Sequence, residues 1–87
     1  MTTKLLRFQA ESPKGEKITF SLNWWTDGST IWYRIQADRG DSRAYTDIPC
    51  QREAMKDLME AREVWVREGF LDKFTSFTTK GGVGFHE

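Results

Sequence analysis

The chain has 87 residues, 38% of them apolar and 30% charged, which fits one domain with a thin core and is too apolar for a disordered chain. Thirteen basic residues balance thirteen acidic ones, arguing against a function that rests wholly on phosphate attraction. One Cys and one His exclude a disulfide scaffold and an intrachain Cys/His zinc set.

In chain order, Leu5 to Ala10 reads as a short strand, followed by the turn-forming Ser12-Pro13-Lys14-Gly15. Residues 18–24 alternate, with Ile18, Phe20, Leu22 and Trp24 on one face. Asp27-Gly28 then marks a hairpin, because Gly accepts the positive φ that a tight turn demands. Thr30 to Ala37 is the return strand, with Ile31, Tyr33 and Ile35 inward and Trp32, Arg34 and Gln36 outward. Asp38-Arg39-Gly40-Asp41 turns the chain into a fourth strand, Ser42 to Thr46.

The period then changes. Residues 49–68 contain no Gly and are rich in helix formers, with Pro49 suited to the first turn, Asp47 or Ile48 to the cap and Gly69 to the stop. Ala54, Met55, Leu58, Met59, Ala61, Trp65 and Val66 share one broad arc, and Glu63–Arg67 is a favourable pair on the other. A short strand is expected within 73–79. The fold expected is α+β: a four-stranded antiparallel meander with one amphipathic helix on one face and an extra C-terminal edge strand. Residues 1–80 make up the domain and 81–87 a flexible Gly-rich tail.

Nothing in the sequence assembles a catalytic or metal centre. His86 stands behind a Gly-rich stretch, where a base is not held in place. Cys50 reads as a small side chain in the first helical turn, and Asp38 and Asp41 read as turn residues. Gly81-Gly82-Val83-Gly84 lacks the Lys-Ser/Thr and helix of a phosphate loop. The expectation is a protein that is not an enzyme and needs no cofactor or metal. No apolar run is long enough for a signal peptide or a membrane span, so a cytoplasmic location with Cys50 reduced is expected. Arg39-Gly40-Asp41 spells an adhesion tripeptide, but these residues are also what a tight turn uses.

The sheet face away from the helix carries the binding candidates. Alternation puts Arg7, Thr19, Ser21, Asn23, Trp25, Trp32, Arg34, Gln36, Arg43 and Tyr45 there: three Arg, three aromatics and no carboxylate. Trp25, Trp32, Arg34, Arg43, Tyr45 and Arg7 are thus the candidate contact residues. The same types serve the centre of a protein interface, stack on unpaired bases, or form ordinary cross-strand pairs. Arg62 is a secondary candidate near the middle of the helix's apolar arc: either its stem packs while its head reaches water, or the arc edge carrying Met55, Met59, Arg62 and Val66 is left uncovered as an adaptable contact surface.

The run from Tyr33-Arg34-Ile35 through Ala44-Tyr45-Thr46 to Glu53-Ala54, about a quarter of the chain, resembles the sheet-reading DNA-binding domains of integrase N-termini and plant ethylene-response factors. That resemblance is one of residue types and implies DNA contact through the sheet. In size and build the chain is also similar to the small inhibitors encoded by phages and other mobile elements, which bind and block host machinery such as CRISPR effectors. The reading that follows is a regulatory or inhibitory module that binds a protein partner through the Arg/Trp face. Nucleic-acid binding through that face is the alternative, and a homodimer burying two such faces a third arrangement.

Overall fold

A computed structural model describes residues 2–40, 42–71 and 77–79. Five strands and one helix run in the order β1 (Thr2–Glu11), β2 (Lys17–Asp27), β3 (Thr30–Arg39), β4 (Ser42–Ile48), α1 (Gln51–Glu68) and β5 (Phe77–Thr79). The strands form one antiparallel sheet in sequence order, with α1 packed on one face, which is the expected α+β meander with its extra edge strand. The tail at 81–87 and Asp41 of the Arg-Gly-Asp run lie outside the described residues.

The alternating residues build the core. Ile18, Phe20 and Leu22 of β2 and Ile35 and Ala37 of β3 are buried against Ala54, Leu58, Ala61 and Trp65 of α1. Phe8 of β1 stacks on Phe20 with ring centroids 5.5 Å apart. Trp65 is the largest fully buried side chain, and its indole Nε1 donates to the Ala10 carbonyl at 3.2 Å. That bond ties the last turn of α1 to the end of β1. At the β1–β2 turn, the buried Ser12 accepts from the backbone N–H groups of Lys14 (3.3 Å) and Glu16 (3.1 Å) through Oγ, a local substitute for strand pairing.

The strands are longer than alternation alone marks. β1 gains residues on both sides of Leu5–Ala10, with its register to β2 shifting between Lys4 and Leu6. β4 continues through Asp47 and Ile48, which are therefore strand residues and not helix caps. The N-cap is Cys50, with extended backbone and no side-chain cap bond, so Pro49 precedes the helix instead of opening its first turn. Pro disfavours helical backbone in the residue before it, which leaves Ile48 extended at the end of β4. At the other end, Gly69 takes φ 81° and its N–H reaches the Trp65 carbonyl, the expected glycine stop. Arg67 pairs with its neighbour Glu68 at 2.8 Å rather than with Glu63. Ile31, expected inward, is 46% exposed, because its rung lies beyond Tyr33 toward the hairpin turn and past the buried core.

Candidate functional site

The β2–β3–β4 register aligns the outer-face residues in rungs. Arg7, Ser21, Gln36 and Tyr45 share one, Asn23, Arg34 and Asp47 the next, and Trp25 and Trp32 the one nearest the hairpin turn. The structure thus brings the sheet candidates Trp25, Trp32, Arg34, Tyr45, Arg43 and Arg7 onto one face. It leaves Arg62 exposed on the helix, away from that face. The core-facing centre of α1 lies along Ala54, Leu58, Ala61 and Trp65, so Arg62 flanks the buried stripe instead of sitting within it. Val66 on the same flank is likewise exposed.

The face carries carboxylates beside its arginines, contrary to the expectation of none. Asp47 follows Tyr45 by two residues on β4 and Asp38 follows Gln36 by two on β3, so the pleat points both outward beside the arginines. Arg34 Nε donates to Asp47 Oδ1 at 2.7 Å and Nη2 donates to Oδ2 at 2.9 Å, a bidentate pair between directly opposed residues. Its guanidinium carbon lies 4.2 Å from the Tyr45 ring centroid and 5.7 Å from that of Trp25. Trp25 in turn stacks on Trp32, centroids 6.2 Å apart and planes 20° from parallel. The result is a continuous row, Trp32–Trp25–Arg34–Tyr45, laid across three strands.

Arg34 is therefore a buried centre of this row, and its side chain is only 10% exposed. Arg34, placed by alternation as an outward contact residue, is thus largely buried on the outer face, and removing it costs stability. Trp25, Trp32 and Tyr45 are half-buried. The Trp25 indole N–H is buried without an acceptor among the described residues. Ser21, beneath the row, is also buried.

A second, wetter cluster lies one end further along. Arg43 Nε donates to Asp38 Oδ1 at 2.7 Å, and Gln36 Nε2 donates to both Asp38 oxygens at 3.3 and 3.1 Å. Both charged partners are about a third exposed, at 38% and 33%, so water screens them and the pair orients more than it stabilises. Arg7 stands exposed on β1 with no ion pair among the described residues.

Sequence reasoning missed Asp38 and Asp47 because each lies within two residues of an apparent turn or cap. Extending the alternation of Arg43 and Tyr45 by one step places Asp47 on this face. Among the described residues no group of three or more His, Cys, Asp and Glu side chains is placed to hold a metal ion, and no helix is long and apolar enough to cross a membrane. No protein-family model, curated protein or solved structure matches the chain.

Proposed function

We propose that the chain is a non-catalytic binding module that engages a protein partner through the outer sheet face. The contact is centred on Trp32, Trp25 and Tyr45, with Arg34 holding the rings in place. The observation that carries this reading is the pairing of the two central arginines with the face's own carboxylates, Arg34 with Asp47 and Arg43 with Asp38, which leaves Arg7 and Lys4 at its β1 margin as cations unmatched among the described residues. A phosphate-binding face needs cations whose charge is not already matched by neighbouring carboxylates. Half-buried aromatics around a neutralised, prepositioned Arg suit the desolvated centre of a protein interface, where Trp, Tyr and Arg carry most of the binding energy. Rings already held by stacking lose little freedom on binding. Binding of this kind acts by covering the partner's surface, which gives a domain without catalytic groups a regulatory or inhibitory effect.

The test is capture of a defined protein from the native cell lysate by the immobilised chain, repeated with Trp32→Ala. The reading expects capture that survives about 200 mM salt and is lost in the variant, with the variant still folded by circular dichroism. In parallel, labelled single- and double-stranded DNA and RNA are titrated at about 50 and 200 mM salt. Saturable, salt-sensitive binding there would replace the protein partner with nucleic acid.

A further inference from the structure

The β1 edge of the sheet offers a second surface, made of backbone groups instead of the stacked rings of the outer face. β1 closes the sheet on one side, and among the described residues nothing pairs with its free edge over Thr2–Glu11. An open strand of this length presents a row of unpaired N–H and C=O groups, which another strand can complete.

The occupant follows from the charges on β1 itself. Lys4, Arg7, Gln9 and Glu11 point to the outer face, by their rungs with Asn23, Ser21, Thr19 and Lys17, and Leu6, Phe8 and Ala10 point to the helix side. Lys4 and Glu11 are exposed, and neither makes an ion pair among the described residues, Glu11 not even with Lys17 opposite it on β2. Two copies of β1 placed antiparallel about a two-fold axis at Phe8 oppose Arg7 to Gln9 and Leu6 to Ala10. Because the bulge near Leu5 adds one residue, Lys4 then reaches Glu11 of the other copy at both ends. Every outer residue meets an outer residue and every inner one an inner one, as a two-fold axis perpendicular to the sheet requires.

Other registers fit less well. Centring on Arg7 sets Arg7 against its own copy, a like-charge clash across the strands. Centring on Gln9 pairs Arg7 with Glu11 but shortens the overlap, sets Phe8 against Ala10 instead of its own copy and leaves Leu6 opposite Ser12, without an apolar partner. Lys on an edge and a bulge in it ordinarily discourage pairing. Here the Lys has its complement seven residues away on the same strand, which makes the edge selective for itself.

We infer that two copies of this chain pair edge to edge through β1 in the Phe8-centred register, making one continuous ten-stranded sheet with both outer faces on the same side. Sedimentation equilibrium of the full chain tests this. The expected result is a reversible dimer. Lys4→Glu should weaken it by about tenfold or more, since both ends turn from attraction to repulsion, and Lys4→Glu combined with Glu11→Lys should restore it. Both positions are exposed, and unchanged circular dichroism shows that the variants fold. A monomer at about 100 μM protein overturns the inference. A dimer indifferent to Lys4→Glu overturns the register and with it the proposed pairing.

Discussion

Replacing Arg34 by Ala removes a guanidinium whose side chain is 10% exposed and leaves Asp47, 20% exposed, without its bidentate partner. Breaking a buried ion pair from one side costs about 3–5 kcal/mol, because the remaining charge has lost its compensation. Water reaches a fifth of Asp47, which discounts that range to about 2–4 kcal/mol even with the lost packing between Tyr45 and Trp25 included. A chain of this length has about 5–10 kcal/mol of stability, and a loss of this size lowers Tm by roughly 10–25 °C. Arg43→Ala serves as the internal control. Its pair with Asp38 is about a third exposed and should cost under about 1 kcal/mol. Replacing both partners at once, Arg34→Met with Asp47→Leu, should recover most of the loss, because no charge is then left buried. Urea unfolding followed by circular dichroism gives all three values. Equal effects of Arg34→Ala and Arg43→Ala would refute the view that Arg34 is the buried centre of the face.

Three further substitutions probe the frame that holds this face. Trp65→Phe keeps a ring in the core but removes the donor to the Ala10 carbonyl, and should cost about 1–3 kcal/mol in urea unfolding. Cys50→Asp places a carboxylate at an N-cap with no side-chain bond and should raise stability by about 0.5–1 kcal/mol, read as a higher Tm. Gly69→Ala meets only ordinary contacts 3.6 Å away at Pro13 and Ser12, so its expected loss of about 1 kcal/mol comes from the positive φ and is read by the same melt.

The parts of the fold that were legible in the sequence are those encoded by local period. The alternation of Ile18, Phe20 and Leu22, the Asp27-Gly28 turn and the amphipathic run ending at Gly69 each reflect one element's own geometry. The candidate face was legible as a set of residues for the same reason. Its electrostatics were not, because the Arg34–Asp47 pair joins residues thirteen apart, and their meeting depends on the β3–β4 register set by the turn at Gly40. Asp47 also fits a helix cap as well as a strand end, and only the extension of β4 to Ile48 decides between them. Helix boundaries shifted for a related reason. Pro49 fits the first turn by propensity, but the strand on its N-terminal side runs up to it and takes precedence.

The outer-face proposal is tested most directly by a photo-crosslinking amino acid placed at Trp32 and, in a second variant, at the exposed Glu53 on the helix. Irradiated in native lysate, the first should form a discrete adduct with one protein and the second should not. Adducts with nucleic acid from position 32, or the same protein adduct from both positions, would contradict the assignment of that face as a protein interface.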